Sequence, residues 1–454
     1  MKRGMVRNLQ KYNIKWLWIF GAPYIWALSV GLLLQFYIYP VWFSGTYWGH
    51  GLTQGDWVYF HEMAIQFAET AKVTGFNFKL VPLELSPVYL LGTAYYITDI
   101  YEPWVLLPFN ALVHALSCVC LIIILQRLKF SSLSACVAIL VFFAVPTASV
   151  LYSQVHRDGL VFLSFYLFVV FILDQFLKEK KRFTSYLTLF LSIVLVLIFR
   201  TYLLNFYSIC IVGLALYLAV HLKTKEALKR SVCLLLISLV LLFVGQKIGH
   251  IGALHQSRGV PAGTVLPSRA VAHQQEETEF CQPENSFDRF FPEIVRRQLC
   301  NIQIIRLRSV ANFPESRDKA YYEMQAYTDL RVDTPSYALG NIPILLRLAY
   351  VEPIVFLSKK ENWTMFHYFS ILETGLNLLF LSIALFYMIT RSKWPILVPL
   401  LIASFFLLVL AASTVNMATF YRLRFGYISL GGVIGCAACV SLMQEFFIKR
   451  QKIE

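Results

Sequence analysis

Ten apolar stretches follow one another along the chain, each about as long as a helix that crosses a lipid bilayer. They lie at about 16–38, 104–126, 131–151, 158–176, 184–200, 201–222, 231–248, 366–390, 395–412 and 426–447. A membrane-spanning helix needs roughly 17–25 mostly apolar residues. The pattern therefore predicts an all-α polytopic membrane protein with about ten transmembrane helices. The block 184–222 is interpreted as two spans, because one helix of that length would overrun the bilayer.

Two segments between the spans are too long to be simple connections. The first, at about 39–103, follows the first span, and the second, at about 249–365, follows the seventh. Three sections are therefore predicted: spans 1–7 with the first loop at 1–248, the large loop, and spans 8–10 at 366–454. The large loop contains no apolar run long enough to cross a bilayer, and we expect it to hold short helices on the outer face.

The first loop is predicted to contain two surface helices. Asp56 occupies the N-cap position of the first helix. Apolar residues then recur at spacings of three and four, as in an amphipathic helix on a membrane surface: Trp57, Phe60, Ala64 and Phe67. The second helix begins at Ser86-Pro87, with serine as the cap and proline at the first helical position.

Charged residues indicate which ends of the spans face the cytoplasm. With the N-terminus inside, the inner segments hold 20 of the 40 Lys and Arg residues and, with the adjoining Asp174 and Glu445, five of the 26 acids. The inner side then carries about +15 and the rest of the chain about −1, which is the positive-inside pattern. Both termini are therefore predicted to be cytoplasmic. The net charge of +14 reports topology, and nucleic acid is excluded as a partner.

Cysteine placement adds one prediction. Seven of the nine cysteines lie in predicted spans, where they are interpreted as small apolar residues. Cys281 and Cys300 lie in the large loop. On an oxidising outer side these two are candidates for a disulfide, and two buried thiols are the alternative.

Few ionisable side chains lie at the outward ends of the predicted spans, where such groups are costly and usually functional. The candidates are Asp56 and His61 in the first loop, together with residues of the turn after span 3, the end of span 5, span 8 and the loop between spans 9 and 10. The latter are His156, Arg157, Asp158, Arg200, Tyr202, Glu373, Arg422 and Arg424. All of them are predicted to face the outer leaflet.

This set suits transfer from a lipid-linked phosphate donor. A leaving phosphate needs cations, which the planar fork of arginine supplies best, and an attacking hydroxyl needs a carboxylate to take its proton. An outward cavity bordered by lipid leaves a polyprenyl tail in the bilayer while the sugar reacts in water. Asp56 and Asp158 are the candidate catalytic carboxylates. The other residues of the set are candidates for binding the donor phosphate and the substrate.

Each candidate also has a purely structural interpretation. Asp56 fits an ordinary N-cap, Asp158 beside Arg157 fits a helix-capping salt bridge, and Glu373 fits a partner for an arginine. Outward arginines fit snorkelling side chains, although those are expected mainly on the cytoplasmic side. Three histidines of the outer segments follow no standard metal-ligand spacing: His50, His61 and His156.

The layout resembles the GT-C class of polytopic glycosyltransferases, which includes the aminoarabinose transferases of lipid A and the protein O-mannosyltransferases. The similar features are an outward loop with Asp56 at the head of a surface helix and a second acid, Asp158, in the turn after span 3. The string at 86–90, with Asn110 in the following span, also looks like that class.

Shorter strings are similar to bacterial exopolysaccharide and O-antigen membrane proteins. They are Ser153-x-x-x-Arg157-Asp158, Arg200-x-Tyr202 and the run from Pro343 through Pro353 to Leu372-Glu373. The resemblance implies an inverting glycosyltransferase of polysaccharide biosynthesis in a bacterial inner membrane, with its active site outside the cytoplasm. The implied donor is a polyprenyl-phosphate-linked sugar, and the implied acceptor is a glycan or a lipid-linked sugar.

The resemblance further implies that Asp56 is the base and that the arginines hold the donor phosphate. Trp57 replaces the second acid of the acidic pair found in some relatives, so the identity of the base and the need for a divalent metal, Mg²⁺ or Mn²⁺, stay open. One alternative is an O-antigen or exopolysaccharide polymerase that uses the arginine-rich 249–365 loop. Others are a transporter or flippase of lipid-linked sugars and a membrane scaffold protein, although no internal repeat supports a transporter.

Overall fold

A computed structural model describes most of the predicted spans and parts of the loops. The described residues are 2–42, 44, 47–53, 56–75, 86–177, 182–201, 203–222, 224–258, 285–291, 293, 295–297, 299–300, 302–304, 330–351, 365–414 and 417–451. Tyr202, Cys281 and the side chain of Asp56 lie outside them, and so do the predictions made for these groups.

Helices make up nearly all of the described secondary structure. In chain order they are α1 (Lys2–Leu33), α2 (Tyr39–Trp42), α3 (Asp56–Thr74), α4 (Ser86–Thr98), α5 (Leu107–Arg127), α6 (Ser132–Ala144), α7 (Pro146–Ser153), α8 (Asp158–Phe176), α9 (Arg182–Phe199), α10 (Leu203–Leu222), α11 (Lys225–Arg258), α12 (Ser286–Phe290), α13 (Pro335–Gly340), α14 (Ile342–Tyr350), α15 (Met365–Thr390), α16 (Leu397–Ser413) and α17 (Met417–Gln451). A π-helical segment, Leu34–Ile38, joins α1 to α2, and 3₁₀ turns at Pro103–Leu106 and Trp394–Ile396 precede α5 and α16. The strands β1 (Tyr47–Gly49) and β2 (Leu52–Thr53) form an antiparallel hairpin.

Eight described helical segments are long and apolar enough to cross a membrane. They are Trp18–Trp42, Pro103–Arg127, Asp158–Phe176, Leu203–His221, Lys225–Gly245, Ile371–Thr390, Trp394–Ser413 and Arg422–Gln451. Phe183–Phe199 is a shorter apolar helix. The prediction of an all-α polytopic membrane protein is thus confirmed, while the number ten stays a prediction.

The segment 131–151, predicted as one span, is not one continuous helix, and whether it crosses the membrane stays a prediction. α6 ends at Ala144 and α7 begins at Pro146, with extended backbone at Val145 (φ −70°, ψ 118°). Proline lacks the N–H that an α-helix needs and disfavours helical backbone in the residue before it. Two short helices therefore occupy the place of one span.

Helix α8 lies at the centre of its part of the bundle and packs on α5 and α9. Its apolar stretch is 89% buried, the highest share among the eight segments. Ser164 lies within hydrogen-bond distance of Ser192 Oγ (3.1 Å) and Tyr207 Oη (3.0 Å), which ties α8 to α9 and α10. Phe168 stacks on the Tyr207 ring at 4.1 Å. Hydrogen bonds between helices are a usual means of association inside a bilayer.

An ion pair closes each end of α8. Asp158, at its first residue, pairs with Arg200 at 2.8 Å, and Asp174, near its last turn, pairs with Arg127 at 2.7 Å. At 1.5 Å per residue the two aspartates are about 24 Å apart along the helix. That separation is a little less than the roughly 30 Å of bilayer hydrocarbon, so the charged groups lie where the apolar stretch ends.

The two helices predicted in the first loop are present, and α3 packs on α4. The apolar side of α3, predicted to lie on the membrane surface, instead forms a buried cluster with α4 and the hairpin that includes Leu52, Phe60, Phe67 and Leu91. Gly92 permits the close approach, because a Cβ there would lie 2.6 Å from the Phe67 ring. The spacing of three and four identified the buried face but not the surface that covers it.

The chain divides into two compact units. Unit 1 comprises Met1–Gly259, Phe380–Pro399 and Val433–Glu454, and unit 2 comprises Val260–Leu379 and Leu400–Gly432. In unit 2, the described parts of the large loop form short helices, as expected. Two of these helices, α12 and α13, are joined by Asp288 of α12. Its fully buried carboxylate accepts hydrogen bonds from the backbone N (2.8 Å) and Oγ (3.1 Å) of Ser336 in α13.

Candidate functional site

The loop that leads into α8 is held by the β-hairpin of the first loop. The amide of Gln154 donates from Nε2 to the carbonyl of Gly51 (3.2 Å) and accepts from the backbone N of Thr53 (3.4 Å). Asn110 of α5 donates to the carbonyl of Gln154 (3.0 Å). One buried glutamine thus joins the hairpin to the residues that precede α8.

The π-helical segment after α1 supports the same loop from another side. Gln35 donates from its side-chain amide to the carbonyl of Ser153, and the hydroxyls of Tyr39 and Ser153 lie 2.6 Å apart. Gly51 has φ +74°, and a Cβ there would lie 2.7 Å from Cβ of Gln35, so only glycine fits this position. π-helical turns are rare and occur frequently at functional sites.

Asp158 is fully buried and has two charged or chargeable partners. Its Oδ1 lies 2.8 Å from Nη2 of Arg200, and its Oδ2 lies 3.1 Å from Nδ1 of His156. The backbone N of Asp158 lies 3.1 Å from the same Nδ1, so this ring nitrogen accepts from the backbone when it is unprotonated and donates to Oδ2 when it is protonated. A carboxylate in the first turn of a helix is also stabilised by the helix dipole. The carboxylate therefore fixes both the guanidinium and the imidazole.

The start of α3 adjoins this cluster. The Trp57 ring lies 6.1 Å from the His156 ring, and the indole N–H of Trp57 donates to the carbonyl of Thr53. Asp56 is the first residue of α3. The first turn of α3, which begins at Asp56, thus contacts the loop that leads into α8.

His61 lies one turn further along α3 and is 2% exposed. Its Nδ1 is 2.6 Å from the hydroxyl of Tyr95 in α4. The pKa of His61 is lowered to about 4, mainly by burial and also by the nearby His50, while Glu102 acts in the opposite direction. Burial likewise raises the pKa of Tyr95, with Glu102 adding to the effect. At neutral pH this pair is an uncharged imidazole and an uncharged phenol.

Three predicted site residues lie in unit 2. Arg424 is 4% exposed and donates to Oγ1 of Thr374 (2.5 Å) and to the carbonyl of Ala349 (3.5 Å). Glu373 and Arg422 are partly buried on α15 and α17. The contacts of Arg424 are those of an internal tie within unit 2, and a role of these residues in donor binding stays a prediction.

Cys300 is buried and disulfide-bonded, whereas the seven other described cysteines are free. The pairing with Cys281 stays a prediction, because Cys281 is outside the described residues. In the arginine-rich 249–365 loop, on which the polymerase alternative rests, Arg297 is exposed and pairs with Glu293 at 2.5 Å. Arg306 lies outside the described residues, as do Arg308 and Arg317.

Within the described ranges, no group of three or more His, Cys, Asp or Glu side chains could hold a metal ion. Comparisons with known protein families, with curated proteins and with solved structures give no match to the chain. The resemblance to the GT-C class therefore stays a prediction, and the function is argued from the site.

Several residues of this site were not predicted from the sequence. Gln35, Tyr39 and Gln154 hold the loop before α8, and Glu102 influences the pKa of His61. Gln35 offered a signal, since it is a polar side chain within the first apolar stretch, and such groups at membrane depth are usually functional. Glu102 offered another, because it directly precedes Pro103 at the start of a span.

Proposed function

We propose that the chain is a membrane glycosyltransferase that moves a sugar from a polyprenyl-phosphate carrier to a hydroxyl of a glycan or lipid-linked acceptor. The observation that carries the proposal is the contact of the start of α3 with the loop that leads into α8. Thr53 and Trp57, which flank Asp56, contact Gln154 and His156, which precede Asp158. Two acids that are about a hundred residues apart in sequence thus begin helices whose flanking segments are in contact.

Arg200 is proposed to bind the donor phosphate. Its guanidinium is 11% exposed and is oriented by the buried carboxylate of Asp158. Because an arginine has five N–H donors in a rigid fork, a guanidinium anchored by a carboxylate can also bind phosphate oxygens. Asp158 then acts as a positioning residue, and His156 and the partly buried Arg157 adjoin the same place.

Asp56 is proposed to be the general base. The acceptor oxygen attacks the anomeric carbon, the bond from that carbon to the phosphate oxygen breaks, and the acceptor proton passes to the carboxylate of Asp56. Polyprenyl phosphate leaves with the bonding electron pair, and Arg200 stabilises its added negative charge. A single displacement of this kind inverts the anomeric configuration.

The setting proposed for this reaction is the outer face of a bacterial inner membrane. It is supported by the excess of Lys and Arg in the segments assigned to the cytoplasm. It is also supported by the apolar length of α8, which separates the Asp158 end from the Asp174 end. The polyprenyl tail would remain in the bilayer while its sugar meets the acceptor at the surface.

The test is a transfer assay with the full chain in nanodiscs, polyprenyl-phosphate sugars as donors and isolated glycans as acceptors. We expect Asp56→Asn to lower kcat about 10²- to 10⁴-fold, the usual contribution of a general base. Arg200→Lys keeps the charge beside Asp158 but loses the fork, so we expect a higher KM for the donor. Glu62→Gln removes an exposed carboxylate of the same helix and is the matched control.

The outcomes separate the candidate functions. Full turnover by a folded Asp56→Asn variant would contradict its role as the base. Movement of a lipid-linked sugar across the bilayer without acceptor would indicate a transporter instead. Activity that depends on Arg306 and not on Asp56 would indicate a polymerase. Transfer measured with EDTA and then with Mg²⁺ or Mn²⁺ restored decides the metal requirement.

A further inference from the structure

An indole, an imidazole and a carboxylate lie together at the surface of unit 1. Trp48 in β1 is 42% exposed, and the side chains of His50 and Glu102 are 51% and 41% exposed. Nδ1 of His50 is 3.1 Å from both carboxylate oxygens of Glu102, and the rings of Trp48 and His50 are 5.9 Å apart. We call Trp48, His50 and Glu102 the surface triad.

The surface triad packs on two buried side chains, His61 and Tyr95. The ring of His61 is 5.8 Å from the Trp48 ring and 5.5 Å from the His50 ring. His61 in turn is bonded to Tyr95, which is fully buried in the α3–α4 cluster. The exposed groups therefore have a fixed arrangement, which reduces the entropy lost when a ligand binds.

The backbone at His50 suggests that its side chain matters. His50 (φ 53°) and Gly51 (φ 74°) are the two central residues of the hairpin turn between β1 and β2. Positive φ at both positions is the pattern of a type I′ turn, which prefers Asn-Gly. Left-handed backbone at a residue other than glycine is uncommon and clusters at functional positions, although Asp99, Lys129 and Ser392 adopt it here as well. The turn alone gives no reason to choose histidine over asparagine.

We propose that the surface triad is a saccharide-binding subsite for the acceptor glycan. Calling this glycan the acceptor rests on the proposed transferase function. The exposed face of the Trp48 ring would stack on the apolar C–H face of a pyranose, since the ring face is electron-rich. The carboxylate of Glu102 would accept hydrogen bonds from ring hydroxyls, and these charge-assisted bonds are the stronger kind. The imidazole of His50 would orient that carboxylate.

The position of the subsite suits an acceptor. Trp57 and His61 lie four residues apart on α3, so they are about 6 Å apart along one face of the helix. Trp57 contacts His156 of the Asp158 cluster, and His61 contacts Trp48 of the surface triad. The triad contacts α3 at His61, which is five residues, or about 8 Å along the helix, from Asp56, the proposed base. A glycan bound at the triad would therefore lie close to the start of α3.

The test measures saccharide binding separately from transfer. The probes are methyl glycosides of glucose, galactose, mannose, rhamnose and N-acetylglucosamine, and their β-linked disaccharides, followed by saturation-transfer NMR with the full chain in nanodiscs. We expect Trp48→Ala and Glu102→Gln each to weaken binding of the best probe at least tenfold. Trp48→Phe, which keeps an aromatic face, should stay within about threefold of the wild type.

Two further variants control the result. Trp42→Ala removes another exposed tryptophan of unit 1 outside the triad, and we expect unchanged binding. His50→Asn keeps the type I′ turn, so its melting temperature should match the wild type while binding falls. Equal weakening by Trp42→Ala and Trp48→Ala, or no binding of any probe by the wild type, overturns the proposal and leaves Trp48 as a membrane-interface anchor.

Failure of this inference and failure of the proposed function give different results. Binding that depends on Trp48, in a protein that transfers no sugar, supports the subsite and refutes the transferase. Transfer in which Trp48→Ala behaves like Trp42→Ala supports the transferase and refutes the subsite. If both hold, Trp48→Ala raises the KM for the acceptor and changes kcat little.

Discussion

Asp158 illustrates what a buried charge requires. A carboxylate with no exposed surface is stable only with charged partners and hydrogen bonds, and here Arg200, His156 and the helix N-terminus provide them. The sequence suggested Arg157 as the partner, because that residue is adjacent. The pair with Arg200 joins α8 to the end of α9, so it depends on packing that neighbouring positions in the sequence do not indicate.

His61 gives a prediction of pH dependence. Its pKa falls from 6.5 to about 4 on folding, so the unfolded chain binds a proton more tightly than the folded one. The contribution to stability is complete above pH 6.5 and is lost as the pH falls toward 4, by about 3 kcal/mol in total. We expect the melting temperature in detergent to fall over this range.

The measurement is a melting series between pH 8 and pH 4.5 on the wild type and two variants. His61→Gln keeps a polar side chain that does not titrate, so its melting temperature should vary less with pH. His221→Gln removes an exposed histidine of α10 and should follow the wild-type curve. Identical slopes for His61→Gln and the wild type would refute the assignment.

At the scale of elements, α15 and α17 approach each other unusually closely in unit 1. A Cβ at Gly435 would collide with the carbonyl of Phe380, whereas a Cβ at Gly213 in α10 would meet nothing within 4 Å. Small residues permit such backbone contact between membrane helices. Gly435 is therefore a packing requirement and Gly213 is not.

We expect Gly435→Ala to destabilise the protein by about 1–3 kcal/mol, the usual cost of overpacking. Gly213→Ala should leave stability unchanged or raise it slightly, because alanine favours helix more than glycine does. Melting temperatures of both variants in the same detergent provide the comparison. An unchanged melting temperature for Gly435→Ala would refute the close contact between α15 and α17.

The elements themselves were largely predictable, for a physical reason. Length and apolarity of a span follow from the thickness of the bilayer, so segments such as Trp18–Trp42 and Asp158–Phe176 are visible in the sequence. The break at Pro146 was also encoded, but the apolar run around it concealed the break. The cover of α3 was not predictable, because lipid and another helix such as α4 are both apolar surfaces and select the same spacing.

At the scale of the whole molecule, the site depends on contacts between distant parts of the sequence. Asp56, His156, Asp158 and Arg200 were identified as candidates because ionisable groups near spans are rare. The residues that support them were not identified, because Gln35 and Gln154 are uncharged and form their hydrogen bonds with backbone carbonyls. A single sequence readily shows which side chains are costly to bury. It shows much less readily which other groups form hydrogen bonds with them.

The charge distribution gives a prediction for the threading of the whole chain. The inner segments carry about +15 and the rest about −1, so both termini should be cytoplasmic. We expect a green fluorescent protein fused after Glu454 to fluoresce and an alkaline phosphatase inserted in the 249–365 loop to be active. The reversed fusions are the control, and activity of a C-terminal phosphatase would contradict this topology.

The hydrogen bonds between Gln154 and the hairpin have a consequence for the order in which the protein folds. Gln154 binds Gly51 and Thr53, which are about a hundred residues earlier in the chain, and the neighbouring Ser153 binds Gln35. A chain made from its N-terminus therefore delivers the first loop long before the groups that secure it. The hairpin and the start of α3 gain these contacts only after α5 and α7 have been made, so the site is completed late in the assembly of the chain.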